Sequence, residues 1–113
     1  MNGILGILAA IGGVTVRASG MRPVYPKRGY AVGATQRTAI MLPLTATETE
    51  LRLALLSCAA DYGTRHAGAW IEGDTIHVDP TIIVASRREA LGMAKRNRQK
   101  AIYGFRERDT ILV

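Results

Sequence analysis

The first 44 residues contain no aspartate and no glutamate, although they carry five lysines and arginines. Cations in that stretch find no acid nearby in sequence, so they either meet one delivered by the fold or stay in water. Cysteine is almost missing as well. The lone Cys58 excludes an internal disulfide and the usual structural zinc site, and it points to a reducing, cytoplasmic setting. Long apolar runs are also missing. The best candidate, Ile4 to Ile11, is interrupted by Gly6 and is about half of the roughly 20 residues that a membrane helix needs. No lysine or arginine precedes it, as one would in a secretory leader, so neither export nor a membrane partner is expected.

Residues that could carry chemistry are equally sparse. Cys58, His66 and His77 are the soft metal ligands, and no paired spacing links them, so neither a metal nor a cofactor is expected. Cys58, Asp61 and either histidine can be written down as a nucleophilic triad, but nothing in the spacing brings them together. Gly3, Gly6, Gly12 and Gly13 are followed by the strand-like Val14-Thr15-Val16, and no Gly-Lys-Ser/Thr follows, which argues against a phosphate-cradling loop. Tyr103-Gly104-Phe105 beside Lys100 matches only a fragment of an RNA-recognition strand, and the elements that fold would need next are not there. The expectation is a protein that is not an enzyme.

What the chain does have is charge sorted into blocks. Residues 45–80 hold six acids against two bases, and residues 81–113 hold eight bases against three acids. The three blocks therefore carry +5, −4 and +5, which gives the net +6. Such sorting presents a basic surface to an acidic partner, protein or nucleic acid. With 113 residues, 48% of them apolar, the chain is expected to form one small domain, residues 1–113, around a modest core.

The order of elements follows from local signals. Residues 1–12 read as a short strand or a loosely packed N-terminal segment. Val14 to Val16 reads as a strand, and Ser19 to Arg28, with Pro23 and Pro26, as a loop or sheet edge. Tyr30 to Ala34 is a strand, Thr35 to Arg37 a turn, and Thr38 to Leu42 a returning strand stopped by Pro43. Thr47-Glu48-Thr49-Glu50 is a capping box that opens a helix. Leu51, Ala54, Leu55, Cys58 and Tyr62 give that helix an apolar stripe; Leu53, Leu56 and Ala60 widen it, so burial on more than one side is expected, with Gly63 as the stop. The Glu48 and Glu50 carboxylates suit the helix dipole rather than acid–base work.

Ala69–Glu72 and Thr75–Val78 flank the turn Gly73-Asp74, a hairpin that sets Ile71 opposite Ile76 and Trp70 opposite His77. Pro80 is expected to end it, with Thr81 to Val84 as a further extended piece. Ser86-Arg87-Arg88-Glu89 opens a second helix, expected to stop at a left-handed Asn97. Ala101–Phe105 and Thr110–Val113 close the chain as paired strands. The fold class is α+β: a mainly antiparallel sheet of short strands with two helices on one face.

The second helix carries the best candidate surface. Arg87, Arg88, Lys95, Arg96, Arg98 and Lys100 crowd into fourteen residues. The contacts expected to bind are Arg88, Lys95, Arg96 and Arg98, with Trp70 as an apolar anchor. The same cations also fit a plain solvated face whose stems cover apolar neighbours, and Trp70 with His77 fits a cross-strand pair covered by a helix. The terminal strand Thr110–Val113 is apolar enough to pair with a second copy in a homo-dimer.

Gly29-Tyr30-Ala31-Val32, Gly68-Ala69-Trp70, Val78-Asp79, Ser86 through Leu91 and Asn97-Arg98-Gln99-Lys100-Ala101-Ile102-Tyr103 occur in this order. The series resembles small uncharacterised proteins of actinobacterial phages and mobile elements, over roughly residues 13–113. Where that group continues after Tyr103 with an acidic turn, this chain has the more basic Gly104-Phe105-Arg106-Glu107-Arg108. The resemblance implies an accessory protein that binds a host protein with an acidic surface. A direct DNA- or RNA-binding module using the basic second helix is the alternative.

Overall fold

The computed structural model describes residues 3–36 and 39–113. In chain order the elements are α1 (Ile4–Ile11), β1 (Gly13–Arg17), β2 (Arg22–Pro23), β3 (Tyr30–Gly33), β4 (Ile40–Pro43), α2 (Glu48–Tyr62), β5 (His66–Glu72), β6 (Thr75–Val84), α3 (Arg87–Arg96), β7 (Ala101–Gly104) and β8 (Asp109–Leu112). The α+β class holds: the eight strands form one curled sheet, antiparallel at every pairing, in the order β2-β1-β5-β6-β3-β7-β8, with β4 also on β6. Among the described residues the helices number three rather than the expected two. None of them is long and apolar enough to cross a membrane.

β6 is the spine. Its hairpin with β5 has the expected register, Trp70 opposite His77 and Ile71 opposite Ile76, around Gly73 at φ 63°. The other edge of β6 is shared by two strands placed end to end: β4 pairs with Thr75–Val78 and β3 with Thr81–Val84. This corrects the expected returning strand, because β3 and β4 run in the same direction along one partner. Arg37 of the expected turn and Thr38 of the expected strand lie outside the described residues.

Pro80 does not end the hairpin, since β6 runs through it to Val84. The reason lies at the β3–β4 junction. The Pro80 carbonyl accepts from the Ala34 N–H at 2.9 Å, so that side of Pro80 faces the junction. A residue's N–H and C=O leave a strand on the same side, so the hydrogen that proline lacks would have pointed where no strand pairs. Asp79 fills part of the gap by accepting from the Ala39 N–H at 2.9 Å.

Alternation along the strands separates two cores. Ile76 and Val78 join Val16, Ala67 and Ala69 against α1 and α2. Val84, further along the same side of β6, joins Val32 and Ile102 against Ala90 and Ala94 of α3. In α2 the stripe Leu51, Ala54, Leu55 and Cys58 is buried as expected. Full burial of Leu51 and Leu55 contributes about 1.5–3 kcal/mol each. The stripe stops short of Tyr62, which is 52% exposed, and the widening does not occur: Leu53 and Leu56 are 60% and 47% exposed and Ala60 is exposed as well, so only one face of α2 meets the sheet.

Residues 4–11 form a helix, not a strand or a loose segment. Ile4 and Leu8, one turn apart, enter the first core, and the Glu48 carboxylate accepts from the Ile4 and Leu5 N–H groups at 3.1 and 2.7 Å. A segment of eight residues, too short to be stably helical alone, is thus made helical by tertiary burial and by a cap supplied from 43 residues away. Burial pulls the Glu48 carboxyl upward, but those two amides and Arg52 outweigh it and hold the group below its ordinary range.

Candidate functional site

α3 begins at Ser86, whose hydroxyl accepts from the Glu89 N–H at 3.3 Å. Only this half of the expected capping box forms, whereas both halves form between Thr47 and Glu50 at the start of α2. Ala90 and Ala94 face the sheet, fully buried, with Leu91 and Met93 half-buried beside them. The spacing that sends those alanines inward sends Arg88, Lys95 and Arg96 outward, and all three are exposed, as is Arg87. Gly92 lies between Arg88 and Arg96, one turn from each. A Cβ at Gly92 would come 3.5 Å from Arg96 Nη1, so the guanidinium folds back over the glycine.

The helix ends in a Schellman motif: Gln99 N–H donates to Ala94 O at 2.8 Å and Arg98 N–H to Lys95 O at 3.1 Å. The left-handed residue of that motif is Arg98, at φ 52°, not the expected Asn97, which sits at φ −90°. Asn97 is occupied otherwise, donating from its side-chain amide to Gly33 O at 2.9 Å. A β-carbon in the left-handed region costs about 1 kcal/mol, which glycine would avoid. Arg98 is nevertheless what stands there, exposed.

Among the described residues, Arg52 pairs with Glu48 at 3.4 Å, and His77 Nε2 lies 3.5 Å from Glu72 Oε2. Arg88, Lys95, Arg96, Arg98 and Lys100 have no carboxylate of the protein within ion-pairing distance in that set. Lys95 and Arg96 do suit the negative end of the helix dipole. Nearby, Tyr30 donates its phenol proton to Glu107 at 3.2 Å. Burial and then Glu107 raise the Tyr30 pKa, while Arg87 and Arg106 act against that rise, which puts both cations near this contact.

Trp70 does not join this surface. It lies on β5, half-buried, stacked on His77 with ring centroids 5.1 Å apart and planes within 11°. Both rings point to the side of the sheet opposite Ile71 and Ile76, away from α1 and α2, so no helix of the first core covers them. Sequence reasoning therefore paired Trp70 with His77 correctly, and the structure sets that pair on the sheet face away from the first core.

Cys58 is buried against the sheet from the helix side, and burial, then Asp79 and Asp61, push its thiol up to about 12. It is a neutral small hydrophobe at physiological pH. His66 and His77 lie on the far side of the sheet, about 14 Å apart by their register along the β5–β6 ladder. No group of three or more His, Cys, Asp or Glu among the described residues could hold a metal.

One basic cluster escaped the sequence reading. Arg22 pairs across from Arg17, and Arg17 across from His66, so three basic residues occupy one row over β2, β1 and β5. Only strand register reveals it; the missing acids of residues 1–44 were its one visible sign. The chain matches no family model, no curated protein and no solved structure in such comparisons.

Proposed function

We propose that this is a non-enzymatic accessory protein of the phage or mobile-element type, which binds and occludes an acidic surface of a host protein through the outer face of α3. The observation that carries the reading is the exposure of Arg88, Lys95, Arg96 and Arg98 with no internal carboxylate partner among the described residues. Unpaired surface cations add little to folding, and a complementary acidic face would gain from all of them together.

The test compares capture from nuclease-treated host lysate by the parent and by Arg88→Glu, Lys95→Glu and Arg96→Glu combined. A protein retained by the parent and lost with the variant supports the reading. Equal capture by both sinks it. Material that disappears on nuclease treatment would favour the alternative of direct nucleic-acid binding through the same helix.

A further inference from the structure

We propose that the sheet face turned away from α1 and α2 binds single-stranded nucleic acid, with phosphates on the row Arg22–Arg17–His66 and a base on the Trp70–His77 stack. The register puts these groups on one face: directly opposed residues share a side, and Arg17, His66 and Trp70 follow the same alternation along β1 and β5. The row crosses three neighbouring strands at about 4.8 Å per step. Arg65, exposed just before β5, lies near enough to act on His66 together with Arg17.

Arg17 directly opposite Arg22 is a like-charge pair, which weakens a sheet unless an anion bridges it. Neither arginine has a carboxylate at ion-pairing distance among the described residues. A recess of about 250 Å³ lined by Arg17, Ser19, Gly20 and Arg22 opens beside them. His66 reports on the same field: burial, then Arg17 and Arg65, lower its pKa, and a bound phosphate would reverse the effect of both arginines.

The path from this row to the aromatic pair is built of small residues. Thr15 and Gly68 occupy the next row, and Gly13 lies opposite Trp70. Gly68 has no room for more, since a Cβ there would sit 2.9 Å from Thr81 Oγ1. The acids on this face are committed: Asp79 is buried and accepts from Ala39, and Glu72 lies against His77. Cations that track a backbone, beside an aromatic ring about 13 Å along the strand, suit a chain with unpaired bases, because a base held in a duplex cannot reach the ring. These residues are separate from α3, so this site and the acid-binding face fail or succeed independently.

Trp70 is the sole tryptophan, so its emission reports on the site alone. Titration with a short oligothymidylate at low salt is expected to quench that emission to saturation. Arg17→Gln with Arg22→Gln is expected to weaken binding about tenfold or more and to lower the salt slope by about 1.4. Trp70→Phe, followed by anisotropy of labelled oligonucleotide, is expected to weaken binding several-fold. Arg108→Gln, which removes an exposed cation of the β7–β8 turn, should leave it unchanged. Absence of binding at low salt, full affinity in the folded double-arginine variant, or tighter binding to the matching duplex would each overturn the proposal.

Discussion

The two cores of this sheet end their helices in the same motif and complete it differently. α2 closes on Gly63 at φ 68°, with Gly63 N–H on Ala60 O and Thr64 N–H on Ala59 O. α3 closes on Arg98 at φ 52°, with the same two-bond pattern. The contrast extends along both helices. Around α2 the charged groups serve the fold: Glu50 completes the cap, and Glu48 caps α1 and pairs with Arg52. Around α3 the cap is half made, the left-handed position is strained, and the cations face water. The acids of α2 are used to hold the fold together, and the cations of α3 stand in water.

That comparison can be broken by substitution. The largest effect is expected at Glu48→Ala, which removes two amide–carboxylate bonds and leaves the first turn of α1 uncapped. A loss of about 2 kcal/mol by chemical denaturation is expected, with proteolysis before Gly12 made easier. Glu48 also gives the first half an acid limit. Its carboxyl is lowered in the fold, so its stabilisation is complete above the unfolded pKa and disappears as pH falls through the folded one.

Exchanging the helix stops is the sharper test. Gly63→Arg should lose about 1 kcal/mol, and Arg98→Gly should gain about as much, both read as shifts in melting temperature. If Arg98 is kept for contact, the stabilised Arg98→Gly variant should bind the acidic partner more weakly. A stabilised variant with undiminished binding would remove the functional meaning of the strained arginine.

The smallest effect concerns the junction of the two halves. Burial raises the Asp79 pKa, while the Ala39 amide and His77 oppose the rise. A carboxyl raised in the fold stabilises most when protonated, and that contribution fades as pH rises through its folded value. Asp79→Asn keeps an acceptor for Ala39 and removes the buried charge. Its stability at neutral pH should equal or slightly exceed the parent's, and a plot of stability against pH should lose the decline due to Asp79. A large loss at neutral pH would show that the ionised form is needed at the junction.

Local rules made much of this legible. The Thr47–Glu50 box, the Gly73-Asp74 turn and the apolar stripe of α2 from Leu51 to Cys58 act over a few residues, and each stands where the sequence places it. The cations of α3 were legible for the same reason, since helical spacing alone turns Arg88, Lys95 and Arg96 away from Ala90 and Ala94. The failures share a cause too. α1 needed a carboxylate from another helix, and Pro80 stayed in its strand because of a gap between two others. Asn97 lost its left-handed role while bonded to a distant carbonyl.

The amino-acid sequence by itself determined the fold class, the two longer helices with their inner and outer faces, the central hairpin and the excess of positive charge. These depend on periods of two and 3.6 residues and on caps within one turn. Tertiary structure alone decided that residues 4–11 are helical, that Trp70 stands apart from the α3 cations, and that Arg22, Arg17 and His66 form a row. Each of those depends on which strands become neighbours, and pairing partners far apart in the chain leave no periodic trace in it.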